Sequence, residues 1–430
     1  MIIFSRKLIL GELREKSIVM KKIITSASII ALGTVGLHAA YAPGLTTTEK
    51  SKFWSVSATL RGFYDDNYMT QPSGPAERDS FGVEVSPALT LNFPMDQTLI
   101  SAGYIMGMRW YEDRDEDSAD WTHQVSLLMN HAFSENYKLK VSESFVIGQE
   151  PGLMNAGAFL VQKMRVPGNN IMNAAGIDFD AQLSRLFSLL VGYANNLYDY
   201  DPDGDDSYSA YLDRLEHMAT VNLRYQALPN TIGILGYQFG VLDYTSDYTI
   251  GGIDSDYRNS YSHYFYLGVD QTFTPELMGS IRLGGQFTDY NNLPSDADAD
   301  DTDLTPYADA SITWAYNEGS NAQLGVKYSR IASDMASLDQ SALSIYGSIN
   351  HAFTAKLRGS LLAQYQNSEF NEGPMDSATD DYFLVGANLS YQISRYLATE
   401  VGYNFDSLDS DVDGREFDRN RVYLGIRASY

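Results

Sequence analysis

The chain has no cysteine among its 430 residues. That removes disulfides and thiolate–metal sites, and it suits an oxidising compartment where a stray thiol is a hazard. Basic residues are scarce, with 30 Lys and Arg against 55 Asp and Glu, a formal charge of −25. Such a surface repels phosphate, so nucleic acid is not the expected partner. After the first forty residues no apolar run approaches the ~18 residues of a spanning helix, and from residue 53 onward there is no sustained 3.6-residue periodicity. What remains is a β architecture. Tyrosine is abundant at 31, glycine stands at 34 and phenylalanine at 19.

The amino terminus reads as an export signal. Met20 to Ala40, "MKKIITSASIIALGTVGLHAA", carries a Lys pair, a short apolar stretch and small residues at its end, the three-part layout of a secretory signal peptide. Cleavage is expected after Ala39 or Ala40, with Met20 as the true start. As a membrane anchor the segment has too short an apolar core. Residues 1–40 are thus assigned to the signal, 41–52 to a short periplasmic segment and 53–430 to the folded body.

Within that body one unit recurs: an alternating segment, a tight turn, another alternating segment and a polar loop. "NFPMDQTL" from Asn92, "HAFSENYKL" from His131, "TFTPELMG" from Thr272, "HAFTAKLRG" from His351 and "YQISRYLA" from Tyr391 each set an apolar residue before a short turn. Period-2 alternation assigns the faces. Ile100, Ala102, Tyr104, Met106, Met108 and Trp110 oppose Ser101, Gly103, Gly107 and Arg109. One strand breaks the rule, because Glu143 falls in phase with Leu139, Val141 and Phe145; a bulge there would re-aim it.

About eighteen such segments of about ten to thirteen residues are present, near the ~9–11 that cross a bilayer at a tilt. Short turns alternate strictly with long acidic loops, as expected when one rim faces the periplasm and the other the outside. An open sheet edge in hydrocarbon leaves backbone groups unpaired, so such a sheet must close on itself. The expected fold is all-β, a single transmembrane antiparallel up-and-down β-barrel of about 18 strands. Rings near the strand ends, such as Trp54, Phe93, Trp110, Phe133, Phe273 and Tyr391, suit an interfacial girdle.

The hairpin repeat, with "NFPMDQTLISAGYIMGMRWYEDR" and "HAFSENYKLKVSESFVIGQEP", resembles the putative β-barrel porin type 2 family over most of residues 53–430. The resemblance implies an outer-membrane barrel of a Gram-negative-type envelope. It brings no catalytic residues and says little about cargo.

In a barrel, function lies in the lumen and loops. Alternation turns Arg61, Arg109, Lys138, Lys140, Arg224, Arg282, Lys327, Arg358 and Arg427 inward, with Glu84, Asp178, Asp180, Asp270 and Glu400. Fixed charges of this kind bias which solutes pass, and the basic excess points to a weak preference for anions or hydroxylated solutes. The plain alternative is that the charges pair across the wall. The third long loop, "QEPGLMNAGAFLVQKMRVPGNN", is apolar for a loop. Met154, Phe159 and Met164 fit either a constriction inside the pore or a cap over its mouth.

No cofactor is expected. Asp199, Asp201 and Asp203, and again Asp409, Asp411 and Asp413, open like calcium loops but lack the twelfth-position Glu, so no metal site is assigned. His131 and His351 belong to the repeated "NHAF", and no acidic or Ser partner is evident for His123, His217 or His263, which argues against an enzyme. The last stretch, "RVYLGIRASY", puts Val422, Leu424, Ile426, Ala428 and Tyr430 on the lipid side and Arg427 in the lumen. It resembles the aromatic-ended insertion signal of outer-membrane barrels, with Tyr430 as its last residue.

The function expected is passive diffusion of small hydrophilic solutes or ions through the outer membrane. Its partners would be outer-membrane lipid and lipopolysaccharide, the barrel assembly machinery and the solutes themselves; whether the chain forms a homo-oligomer stays open. The other reading is a plugged barrel for polysaccharide export or surface attachment. Inward Ile105, Leu128, Tyr264, Tyr266 and Leu362 would fill parts of the lumen, although a wall of 18 strands is wide enough for an aqueous channel.

Overall fold

In the computed structural model, residues 52–149, 159–293 and 300–430 are described. Eighteen antiparallel strands of 12 to 16 residues form one sheet, each paired with its neighbours in sequence. The first strand, Trp54–Asp65, also pairs with the last, Phe417–Ser429. Tyr430 completes the seam, exchanging backbone hydrogen bonds with Val56 at 2.9 and 3.3 Å. The sheet is therefore a closed barrel with no free edge, the condition for a spanning sheet. Residues 1–40, where an export signal is expected, and residues 41–51 lie outside the described residues.

The alternation in the sequence becomes an inside and an outside. In the first strand Trp54, Val56 and Leu60 are exposed, whereas Ser55, Ser57, Thr59 and Arg61 are buried. The last strand has Val422, Leu424, Ile426, Ala428 and Tyr430 outside and Arg421, Tyr423 and Arg427 inside. This inverts a soluble protein, because the solvent of the outer face is hydrocarbon.

Five of the short turns share one device. Thr354 Oγ1 accepts from the amides of Lys356 and Leu357, at 3.1 and 2.9 Å. Ser184 and Thr274 do the same in their turns, and Ser134 and Ser394 each cap one amide, of Asn136 and Tyr396. A hydroxyl that caps the next amides fixes the turn and the register beyond it. The "NHAF" repeat is equally regular: His131 and His351 meet Phe133 and Phe353 edge to face at 4.4 and 4.6 Å.

Inward rings lie along the wall where a neighbouring glycine leaves room. A Cβ on Gly402 would stand 2.1 Å from the Tyr423 ring, one on Gly325 2.2 Å from Tyr346, and one on Gly236 2.0 Å from Tyr266. The phenols of Tyr266 and Tyr423 are tied down by Asn222 and Asn388. Tyr266 and Tyr423 are therefore part of the wall rather than plugs across it.

Glu143 does not move inward. Both of its ladders run without a register shift, so no bulge re-aims it and it stays on the outer face. There it accepts a hydrogen bond from Asn173 Nδ2.

Candidate functional site: lumen and third long loop

A row of charge crosses the seam of the barrel. The register places Glu400, Gly425, Arg61, Glu84, Arg109 and Asp120 side by side on neighbouring strands. Arg61 donates through Nε to Glu400 at 2.6 Å and through a terminal nitrogen to Glu84 at 2.9 Å. Arg109 Nε reaches the other Glu84 oxygen at 3.1 Å. Gly425 makes the row continuous, because a Cβ there would meet Arg61 Cγ at 2.7 Å. The Arg61 guanidinium also sits 4.7 Å from the Tyr423 ring centroid. Alternating guanidinium and carboxylate satisfy one another, which is how charge is tolerated in so buried a row.

Nearer the short-turn rim the charges pair in twos. Arg224 meets Asp180 at 2.6 Å, Arg282 meets Asp270 at 2.6 Å, and Lys327 approaches Asp309 at 3.6 Å. Lys140 stands opposite Asp178, Lys138 opposite Asp180. Arg358 is exposed and Arg427 half-buried, both near this rim. The sequence-derived inward set is thus brought to the lumen face, mostly as pairs. Asp309 was missed; it sits opposite Lys327 and could have been found from the register.

The described part of the third long loop, residues 159–169, lies inside the wall. The loop leaves the fifth strand, Tyr137–Gly148, and returns as the sixth, Asn170–Gln182, yet it contacts strands half-way round the barrel. Leu160 N–H donates to Gln366 Oε1 at 2.8 Å, and Gln366 Nε2 donates back to Leu160 O at 2.7 Å. Leu160 and Met164 pack with Leu362, Tyr382, Leu384, Leu408 and Phe417. Lys163 is fully buried, donating to Asp380 at 2.9 Å and Gln340 at 3.2 Å. Arg415 pairs with the same Asp380 and with Asp334, both from the long-loop end. Two residues on, Arg165 turns to the near wall and meets Asp120 at 2.7 Å. Two ion pairs, two residues apart, therefore tie the segment to opposite walls. Phe159 is half-buried, and Met154 lies outside the described residues. Neither Lys163 nor Arg165, the anchors, stood out in the sequence, because a loop lysine or arginine ordinarily reads as solvated.

Other long loops pack beside it. Arg258 is buried and donates to the carbonyls of Ala210, Tyr211 and Ser333 while lying 3.8 Å from the Tyr244 ring. Val166 meets Tyr200 and Leu212, the end of a short helix, α1 (Tyr208–Leu212). Burial pushes the Asp213 carboxyl just after this helix up to about 6, despite hydrogen bonds from Ser209 and the Tyr200 amide. Beside the third loop, Arg415 is raised above the ordinary arginine value: burial lowers it, but the adjacent Asp334 and Asp380 more than compensate.

The histidines take no part in the lumen. All five described histidines face outward, and each shares a ring nitrogen with a neighbouring hydroxyl: His123 with Tyr104, His217 with Tyr193, His263 with Tyr237, His351 with Tyr316 and His131 with Thr98.

Residues 54–430 match the model of a family described as Putative beta-barrel porin 2. No curated protein matches the chain. Among solved structures it is similar to a BenF-like porin from Pseudomonas fluorescens Pf-5, at 12% identity and a TM-score of 0.45, over 88% of this chain and 99% of that one. It is also similar to Pseudomonas aeruginosa OccK2 (OpdF), whose structure is titled as a complex with glucuronate, at 12% identity and a TM-score of 0.44, over 87% and 98%. Acinetobacter baumannii OccAB4 follows at 11% and 0.43, over 90% and 100%.

Proposed function

The chain belongs to the putative beta-barrel porin 2 family, and from that premise we propose that it is a narrow outer-membrane channel for passive diffusion of small hydrophilic solutes or ions. The supporting observation is the lining. Alternating Arg and Glu form a polar stripe along the lumen, and Tyr266 and Tyr423 lie flat over glycines, so that neither blocks the path. The family and fold point to a channel, not to an enzyme. The third long loop is the constriction, with Phe159 and Met164 at its described part. The inward set carries more arginine and lysine than carboxylate in total, and that excess supports a weak anion preference. Residues 20–40 act as the export signal.

Conductance of the purified protein in planar bilayers tests this reading. Discrete steps are expected, larger after deletion of Met154–Met164; unchanged steps overturn the constriction, and firm cation selectivity overturns the anion preference. The second reading, a plugged barrel, draws on the apolar packing of Leu160 against Leu362, Leu384 and Leu408 inside the wall. Silence in both the full chain and the deletion variant would favour it.

A further inference from the structure

Ion pairs inside the barrel are of two kinds. At the seam they are sealed: the Arg61 and Glu400 side chains are 4% and 3% exposed and meet at 2.6 Å. Away from the seam, Arg224–Asp180, Arg282–Asp270 and Lys327–Asp309 stand open to the lumen. The two arginine pairs are closed contacts of 2.6 Å. Lys327 and Asp309 are not closed. Their side chains are 29% and 31% exposed, and 3.6 Å separates the ammonium from the carboxylate, beyond hydrogen-bond reach. Among the described residues neither has another hydrogen-bond partner. The register sets Asp309 directly between Lys327 and Arg282, and Asp270 pairs with Arg282 one strand further on. Four successive strands therefore present Asp270, Arg282, Asp309 and Lys327, alternating in sign. Tyr307 lies two residues before Asp309 on the same face and packs against Tyr264 and Tyr266, with ring centroids 5.4 and 5.5 Å apart.

We propose that the gap between Lys327 and Asp309 is the site that selects the solute, and that it takes a small zwitterion, one ammonium and one carboxylate on a short carbon frame. This rests on the open-channel reading above. An ion pair so exposed contributes little to the fold, so parting it costs little. A zwitterion then serves both members at once, its ammonium donating to Asp309 and its carboxylate accepting from Lys327. Two empty positions gain charge-assisted hydrogen bonds. An anion satisfies Lys327 alone and is repelled by Asp309; a cation meets the reverse. A neutral polyol makes only the weaker neutral bonds. Arg282, on the other side of Asp309, offers the carboxylate a second cation, so a bound solute can shift by one strand. Weak neighbouring sites of this kind admit a solute without trapping it. Small ions bridge no pair and respond to the overall basic excess instead.

Uptake into proteoliposomes holding the purified barrel tests this, with radiolabelled L-serine, glycerate and glycerol as solutes of nearly one size. At micromolar concentration serine should enter about threefold faster than either of the others. Asp309→Asn should let glycerate overtake serine, and Lys327→Met should bring serine down to the glycerol rate. Each result is a ratio within one preparation, so a variant that inserts poorly is still read, and the wild-type comparison needs no variant. Wild-type serine no faster than glycerol or glycerate overturns the proposal. So does an Asp309→Asn barrel that keeps the serine advantage. In either case, current steps in planar bilayers leave the channel reading standing. Neither uptake nor current steps would overturn both.

Discussion

At the residue scale, glycine decides how much of the lumen the aromatics occupy. Gly402 has room for no side chain, since its Cβ would fall 2.1 Å from Tyr423. Gly402→Val should drive the Tyr423 ring off the wall and towards the Arg61 guanidinium that it now faces at 4.7 Å. The expected cost is about 1–3 kcal/mol, as for overpacking a filled site, read as a lower denaturation midpoint in lipid vesicles. Single-channel steps should shrink as well; a stable variant with unchanged steps would mean the ring has another place to go. The sequence shows a Gly in one strand and an inward Tyr in the next, but not that they touch. Adjacency of that kind comes from register, which a turn of one residue more or less would shift.

At the scale of elements, strands and loops were unequally legible. The strands announce themselves, because a wall between lipid and water forces period-2 alternation on each one, and a Ser or Thr after an apolar residue marks five of the short turns. The loops follow no such rule. "QEPGLMNAGAFLVQKMRVPGNN" betrays its inward course only through Phe159, Leu160 and Met164, whereas the Lys163 contact with Asp380 spans 217 residues of sequence. Lys163→Met should free the loop from the far wall. Removing one partner of a buried pair costs roughly 3–5 kcal/mol, and Arg415, which still pairs with Asp380, keeps the loss near the lower bound. Conductance should become noisier or larger; a quiet channel of native size would show that Leu160 and Gln366 hold the loop unaided. The helix α1 makes a second case. Its neighbour Asp213 titrates near 6 because burial disfavours the charged form, so the unfolded loop ionises first as pH rises. The neutral carboxyl helps this segment fully at low pH. That help fades between about 4 and 6 and changes no further above it. Hydrogen exchange of the Tyr208–Leu212 amides should therefore quicken from pH 4 to 6 beyond the intrinsic rate, and Asp213→Asn should flatten the dependence.

At the scale of the whole molecule, everything depends on closing the wall. The closure was legible as a necessity of backbone hydrogen bonding in lipid; the exact pairing was not, because it depends on the accumulated stagger of all eighteen strands. The seam pairs Ser57 with Ser429 through to Asp65 with Arg421. Tyr430 lies just beyond this ladder, so its removal leaves most seam hydrogen bonds in place. What goes is its backbone pair with Val56, its packing against Trp54 and Tyr396 at 5.5 and 5.8 Å, and the Lys52 ammonium 5.4 Å from its ring. These contacts lie at the short-turn rim, far from the third loop and from the Arg61–Glu84–Arg109 row. Deleting Tyr430 should therefore lower the amount of barrel in the membrane several-fold while leaving the conductance of each inserted molecule unchanged. Heat-modifiable migration on gels counts the inserted barrels, and single-channel recording sizes them. Normal insertion would deny Tyr430 a role in assembly. A smaller unit step would mean instead that the seam opens and the wall, not only its delivery, depends on this residue.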